Sequence, residues 1–166
     1  LTLTGGVRHT KEDKTVSRLL SAGTTPLIPA GTSAATSFSS TTPMASLGYK
    51  LSEQLSVYAR YAEGFKSGGF NGEAQTAVET TTPFRPEKVK SFELGAKSTL
   101  AGGKAQVNVA LFRNKVTDLQ QAVFTATGSA ASNIRNVGQA TTQGLEIEAA
   151  FRPVADLRLQ LGYGFL

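Results

Sequence analysis

Few side chains in this sequence combine the types and spacing that catalysis would need. Glu146 and Glu148 form a pair of carboxylates, the residue types that glycoside hydrolysis uses. Two residues apart on a β-strand, however, they share one face simply because side chains alternate. The segment Met44–Gly48 (Met-Ala-Ser-Leu-Gly) fails the pattern of a nucleophile elbow, because Met44 occupies the position of the first glycine. We therefore predict that the protein is not an enzyme.

Sequence motifs for binding phosphate groups, metal ions or nucleic acid are also missing. It contains no Walker loop and no His-Glu-x-x-His motif. Cysteine is absent, and the single histidine, His9, has no partner at metal-ligand spacing. The net charge is +5, but the basic residues are scattered and do not interleave with stacking aromatics. We predict no cofactor, no metal site and no nucleic-acid partner.

The sequence instead offers alternation of apolar and polar side chains, which is typical of strands with two different faces. In Leu55–Phe65 the odd positions are apolar except at Glu63, and the even positions are mostly polar or small. These residues, at about 3.3 Å each and tilted by about 45°, cover about 25 Å, the height of the apolar band of an outer-membrane barrel. Strands of soluble sandwiches are shorter, about 5–6 residues. No apolar run approaches the ~18 residues of a transmembrane helix.

Other segments repeat this alternation, and the connections between them are long and short in turn. Outer-membrane barrels have short periplasmic turns and long outer loops, whereas a Greek-key sandwich would not keep this rhythm. The sequence therefore predicts an all-β fold, an up-and-down antiparallel transmembrane β-barrel wall segment with about seven strands of a larger barrel. The predicted strands are Leu1–His9, Thr41–Leu51, Leu55–Phe65, Glu87–Leu100, Ala105–Leu119, Asn136–Arg152 and a seventh from Leu157. The long connections are Thr10–Phe38, Lys66–Pro86 and Gln121–Arg135, and the short ones are Ser52–Gln54, Ala101–Lys104 and Pro153–Asp156.

Seven strands do not close a barrel that needs an even strand number, and lipid does not tolerate unpaired strand edges. No signal peptide opens the chain, and both ends read as the middle of a strand. We expect residues 1–166 to be a partial β-barrel domain of a longer protein.

Four segments resemble the strand and loop signatures of TonB-dependent outer-membrane receptors. The order and spacing of the four make the resemblance specific, and it covers nearly all of residues 40–166. The segments are Tyr58–Asn71 (Tyr-Ala-Arg-Tyr-Ala-Glu-Gly-Phe-Lys-Ser-Gly-Gly-Phe-Asn), Arg85–Glu87 with Ser91–Lys97, Asn108–Gln120, and Asn136–Glu148.

This resemblance implies a plugged barrel of the 22-stranded type in the outer membrane of a Gram-negative bacterium. Such receptors bind a scarce nutrient (a ferric siderophore, cobalamin, haem or a saccharide) and import it with energy from the inner-membrane TonB complex. The implied partners are outer-membrane lipid, the small-molecule nutrient and TonB. We expect the plug domain, the TonB-contacting box and the barrel-closing strands to lie outside residues 1–166.

Two groups of side chains are candidates for the path of such a nutrient. Charges on the polar strand faces would point into the lumen, where they either solvate the wall and pair with the plug or line the substrate path. These lumen-facing candidates are Arg60, Glu93, Lys97, Glu146, Glu148 and Arg158. Binding residues tend to lie on loops, and the outer-loop candidates are Lys66, Phe70, Asn71, Arg85 and Arg135. Aromatics of the opposite parity are expected at the membrane interfaces, namely Tyr49, Tyr61, Phe65, Phe151 and Tyr163.

Two other functions remain open on the sequence. A passive porin would share the strands but carry no plug. A soluble β-rich adhesin or carbohydrate-binding domain would bury the apolar faces against a second sheet.

Overall fold

A computed structural model describes residues 1–19, 28–124 and 132–166. These residues form a seven-stranded antiparallel sheet and a separate two-stranded hairpin. The strands are β1 (Thr2–Ser17), β2 (Ser33–Lys50), β3 (Leu55–Lys66), β4 (Glu87–Leu100), β5 (Ala105–Thr117), β6 (Gln120–Phe124), β7 (Ser132–Asn136), β8 (Gln139–Val154) and β9 (Leu157–Phe165). One short helix, α1 (Ala77–Thr81), lies between β3 and β4. Within the described part of the chain, no helix has the length and apolar character needed to cross a membrane.

Each sheet strand pairs with its neighbour in the chain, in the order β1-β2-β3-β4-β5-β8-β9. The β6–β7 hairpin is inserted in the connection between β5 and β8. The connections alternate between long and short, so the predicted up-and-down topology is confirmed. One short turn, at the end of β4, contains Gly102 and Gly103 at φ 64° and 91°, the left-handed region that glycine adopts without a Cβ clash.

The pairing register of the strands places most apolar side chains on one face of the sheet and most polar side chains on the other. Ala59, Leu94 and Leu111 are opposite one another across three strands, and Arg60 is opposite Glu93 on the other side of the sheet. The apolar face is defined by the register row Leu47, Ala59, Leu94, Leu111 and Leu145. The polar face is defined by the row Ser46, Arg60, Glu93, Phe112 and Gly144.

Large apolar side chains stay exposed on the apolar face. Leu111 is 55% exposed and Leu161 is 68% exposed, whereas the buried hydrophobic residues within the described ranges are Ile28 and Ala74. Each Å² of apolar surface left in water forgoes about 25 cal/mol. An apolar face this long, over which residues 1–19, 28–124 and 132–166 place no second layer, indicates contact with lipid.

The first long connection is shorter than predicted. The sequence predicts an irregular segment over Thr10–Phe38, but β1 continues to Ser17 and β2 begins at Ser33. The prediction is therefore wrong for residues 10–17 and 33–38, and residues 20–27 lie outside the described part. The face that is apolar nearer the short turns becomes mostly polar there, for example where Asp13 is opposite Ser37, so the predictive alternation disappears while the backbone pairing continues.

The other two long connections also contain regular structure. The predicted loop Gln121–Arg135 is wrong in its described part, because β6 pairs with β7 from Gln120 opposite Asn136 onward, and residues 125–131 lie outside the description. The loop between β3 and β4 contains α1, whose N-cap Thr76 accepts a hydrogen bond from the Glu79 backbone N–H at 3.2 Å. Two predicted boundaries differ slightly, since β5 ends at Thr117 and β8 covers Gln139–Val154.

Candidate functional site

Three of the candidates on the polar face lie around Tyr58 of β3. The Tyr58 hydroxyl donates a hydrogen bond to Glu93 Oε1 at 2.5 Å, and Lys97 Nζ lies 5.5 Å from the centre of the Tyr58 ring, within cation–π range. Arg60 is opposite Glu93 in the strand register. A Cβ at Gly95 would come within 2.4 Å of the Tyr58 ring, so glycine is required for this close approach. We call Tyr58, Arg60, Glu93 and Lys97 the tyrosine cluster.

The other three lumen-facing candidates are spread across the polar face. Glu146 shares the register row of Tyr58 but lies three strands away, on β8. Glu148 is opposite Asn108. Arg158 lies at the short-turn end of β9, in a depression that it shares with Lys104. Glu148 and Arg158 therefore lie outside the tyrosine cluster, whereas the charge of Glu146 lies within electrostatic range of Tyr58.

A second polar assembly lies at the long-loop end of the sheet and is centred on Arg85. The Arg85 Nη2 atom lies 2.5 Å from Asp118 Oδ1. The Arg85 backbone N–H donates to Asn136 Oδ1 at 2.8 Å, and its carbonyl accepts from Asn136 Nδ2 at 2.9 Å and from Gln120 Nε2 at 3.0 Å. Asp118 adopts φ 53°, a left-handed conformation that Asp tolerates better than most residues. These contacts fix the β3–β4 loop to the β6–β7 hairpin.

Asn71 makes the second connection between this loop and the hairpin. Its Nδ2 donates to the carbonyl of Ile134 at 3.2 Å, and its Oδ1 accepts from the Ile134 backbone N–H at 2.7 Å. The Asn71 side-chain amide thus forms the two hydrogen bonds with the β7 backbone that a neighbouring strand would form. Glu73 accepts from the backbone N–H of Ser132 at 3.1 Å.

Three outer-loop candidates line one cleft of about 330 Å³ between the loop, α1 and β7: Asn71, Arg85 and Arg135. The Arg135 side chain is 58% exposed, and its Nη2 lies 3.7 Å from Glu79 Oε1. Guanidinium groups bind planar oxygen pairs with two parallel hydrogen bonds. The exposed Arg135 side chain therefore presents donors that suit an oxygen-rich, negatively charged ligand.

The remaining outer-loop candidates do not line this cleft. Lys66 ends β3 opposite Glu87 and is exposed, and Phe70 is half-buried in the loop. Two buried amide oxygens lack a hydrogen-bond partner, Gln120 Oε1 and the Oδ1 of Asn133, a residue that lines the cleft.

The sequence did not identify the residues that hold the cleft together: Gln120, Asp118 and Asn136. Their polar types and the nearby Gly138 indicate a turn, but no local pattern shows which distant backbone each side chain contacts. In the described ranges, no group of three or more His, Asp or Glu residues could hold a metal ion. His9 Nδ1 lies 2.9 Å from the Thr41 hydroxyl.

Comparison with known proteins gives consistent matches along the chain. A family model described as "TonB dependent receptor-like, beta-barrel" matches residues 1–166. The ferric-pyoverdine 358 receptor of Pseudomonas putida is 30% identical over 125 residues, which are 74% of this chain and 14% of that protein. The pesticin receptor of Yersinia pestis is 33% identical over 107 residues, 64% of this chain and 15% of that protein.

Among solved structures, the ferric yersiniabactin uptake receptor FyuA from Yersinia pestis has a TM-score of 0.76 at 26% identity. The match covers 98% of this chain and 23% of that one. The copper transporter OprC has a TM-score of 0.60 at 20% identity, which is a likeness of fold alone, and covers 98% of this chain and 27% of that one. This chain thus spans only a small part of each relative.

Proposed function

Because this chain belongs to the family of TonB-dependent receptors, as part of their outer-membrane β-barrel, we propose that it forms one side of the wall and outer entrance of a ferric siderophore receptor. In this proposal the complete protein binds the iron complex outside the cell and imports it with energy supplied through TonB. The cleft formed by Asn71, Arg85 and Arg135 at the long-loop end is the observation that carries the proposal. Two of the relatives named above are receptors for ferric pyoverdine and ferric yersiniabactin, which supports iron as the cargo.

We give the three residues of the cleft different roles in this proposal, on the basis of their contacts. Arg135 is the cargo contact, because its guanidinium is exposed and only loosely paired with Glu79 at 3.7 Å. Arg85 is held by Asp118 at 2.5 Å, and Asn71 uses both ends of its amide on Ile134. These two therefore position the loop and the hairpin on either side of the cleft.

The tyrosine cluster lies deeper along the same wall, on the face that we assign to the lumen. Glu93 is satisfied by Tyr58, and Lys97 by the Tyr58 ring, so the charges are held close to the wall. We assign this cluster to the lining of the path along which the cargo moves after release. Arg60, the exposed member of the cluster, supplies the positive charge that guides an anionic complex inward.

Of the alternative functions, a soluble adhesin does not fit an outer-membrane β-barrel family with an exposed apolar face. A passive porin differs from our proposal in needing no TonB. Haem, cobalamin and saccharides are the alternatives to a ferric siderophore as the cargo.

The test is uptake of radiolabelled iron by cells whose only source of the relevant receptor is the complete protein. We expect uptake from at least one ferric siderophore in TonB-containing cells and none in TonB-deficient cells. Arg135→Ala should weaken binding of that siderophore about tenfold or more, because a hydrogen bond to a charged group contributes about 1.5–3 kcal/mol. Lys104→Ala, at the opposite end of the strands, is the matched control and should bind normally.

Two results would overturn the proposal. Uptake that persists without TonB would indicate a passive channel. Uptake of haem, cobalamin or a saccharide in place of every ferric siderophore would reassign the cargo.

A further inference from the structure

Asn71 has the sequence context in which asparagine side chains deamidate most readily. The sequence contains five asparagines, and Asn71 alone is followed by glycine, Gly72. An asparagine deamidates when the main-chain nitrogen of the next residue attacks the side-chain carbonyl carbon, and glycine leaves that approach unobstructed because it has no Cβ. The residues that follow the other four asparagines all carry larger side chains, namely Val109, Lys115, Ile134 and Val137.

The structure leaves the main-chain nitrogen of Gly72 free to react. Gly72 is exposed in the β3–β4 loop, and a Cβ there would meet no atom within 4 Å. None of the hydrogen bonds among the described residues uses the Gly72 N–H, whereas the Ala74 N–H closes the turn by donating to the Asn71 carbonyl at 3.4 Å. The attacking nitrogen is therefore open to water and base.

The Asn71 side chain, in contrast, is held by the neighbouring hairpin. Its Nδ2 donates to the Ile134 carbonyl at 3.2 Å, and its Oδ1 accepts from the Ile134 N–H at 2.7 Å. Attack by Gly72 makes the amide carbon tetrahedral and draws it toward the main chain of the loop, which breaks both hydrogen bonds. Two hydrogen bonds of ordinary strength therefore slow the reaction by about tenfold or more.

We propose that Asn71 is a deamidation site whose reaction detaches the β6–β7 hairpin from the β3–β4 loop. The Gly72 nitrogen loses its proton to base and bonds to Asn71 Cγ, and the side-chain nitrogen takes a proton from water and leaves as ammonia. Water then opens the resulting succinimide at one of its two carbonyls, which gives aspartate or isoaspartate. The overall reaction consumes one water and releases one ammonia, with no change of oxidation state.

Neither product can form the contact with β7 again. An oxygen replaces the Nδ2 donor that lies 3.2 Å from the Ile134 carbonyl, so two acceptors face each other. Isoaspartate also adds a methylene to the main chain in the turn between Asn71 and Ala74. Because the ammonia is lost, the change runs in one direction, and receptors with a detached hairpin accumulate with age. This release does not depend on which cargo the receptor takes.

The test follows the mass of the peptide that contains Asn71 while the complete receptor is kept folded in detergent at mildly alkaline pH. Deamidation should be measurable in the unmodified receptor and about tenfold or more faster in Ile134→Pro, which lacks the N–H that binds Asn71. Both backbone groups of Ile134 point away from β6, so proline at this edge position removes no hydrogen bond between the two strands. The matched control, Ala122→Pro, changes the exposed residue opposite Ile134 and should react as slowly as the unmodified receptor. Heat-modifiable electrophoretic mobility verifies that each variant is folded.

Two further variants separate the reaction from its consequence. Gly72→Ala keeps the hydrogen bonds to β7 and obstructs only the attack, so deamidation of Asn71 should fall toward the rate at Asn114, which precedes a lysine. Asn71→Asp reproduces one product and should accelerate amide exchange in β7 about tenfold or more, whereas Asn114→Asp on β5 should leave it unaltered. The proposal is overturned by equal rates in Ile134→Pro and the unmodified receptor, by an undiminished rate in Gly72→Ala, or by unchanged exchange in Asn71→Asp.

Discussion

Adjacent residues of β5 have opposite surroundings, because the two faces of the sheet meet different environments. Val109 lies in a register row with Ala96 and Ile147 on the apolar face. Asn108 lies between Lys97 and Glu148 on the polar face. A substitution at either position therefore reports what lies beyond that face.

We expect Val109→Arg to reduce the free energy of unfolding of the complete receptor by about 2–4 kcal/mol, the cost of a guanidinium on the lipid face near mid-depth. Asn108→Arg adds the same charge one residue away, next to Glu148, and should cost little. Urea titration of the receptor folded into lipid vesicles measures both. Equal losses, or a larger loss at Asn108, would mean that the faces are assigned the wrong way round.

Sequence alternation was sufficient to place residues on faces, but not to identify their partners. Arg60 and Glu93 share the polar face as predicted, because parity within each strand and the turn lengths set that placement. Asn71, in contrast, was predicted to contact cargo, and its amide pairs with the backbone of Ile134, 63 residues away. A pairing over such a distance leaves no signal in the sequence around Asn71. The role of Asn71 in cargo contact stays a prediction.

At the scale of elements, the backbone pairing of the strands does not require the alternation of apolar and polar side chains from which the strands were predicted. β3 and β4 were predicted closely because lipid on one side imposes alternation on their sequences. The long-loop halves of β1 and β2 continue the backbone pairing after the apolar face has become mostly polar, so the alternation that predicts a strand is lost there. The β6–β7 hairpin escaped prediction because its strands have only five residues each, too few to show a clear alternation.

The hairpin depends on Asn136 for its attachment to the neighbouring loop. Asn136→Ala removes the hydrogen bonds to both backbone groups of Arg85 and to the carbonyl of Asp118. We expect amide exchange in β6 and β7 to accelerate about tenfold or more, since three hydrogen bonds worth about 0.5–1.5 kcal/mol each are lost. Hydrogen–deuterium exchange on the complete receptor measures this.

Asn114→Ala on β5 is the control for this change. Asn114 is opposite Ser91 and Thr142 on the polar face, away from the hairpin. Its replacement should leave exchange in β6 and β7 unaltered. Equal acceleration in the two variants would show that Asn136 is not what holds the hairpin.

At the scale of the whole molecule, the order of the four sequence segments was enough to identify the family, and the match over residues 1–166 confirms that resemblance. The orientation in the membrane follows from the connections, because outer-membrane barrels place long loops outside and short turns in the periplasm. The chain has no cysteine, so single cysteines can report this orientation.

We expect an impermeant maleimide added to intact cells to label Gly72→Cys, in the β3–β4 loop, and not Lys104→Cys, in a short turn. Both positions are exposed, and a Cβ at Gly72 would meet no atom within 4 Å. Lys104→Cys should become labelled once the outer membrane is permeabilised, which shows that its thiol is reactive. Labelling of Lys104→Cys alone on intact cells would reverse the orientation, and the receptor without an added cysteine is the blank.

The pairing of each sheet strand with its chain neighbour also has an evolutionary consequence. Duplication or deletion of one hairpin leaves every other strand pair intact and keeps the strand number even, while it changes the circumference by only about 10 Å. The β6–β7 hairpin shows a milder form of the same freedom, since it lengthens one connection without interrupting the β5–β8 pair. Descendants of such a gene can therefore diversify their outer loops quickly while the inherited sheet changes slowly.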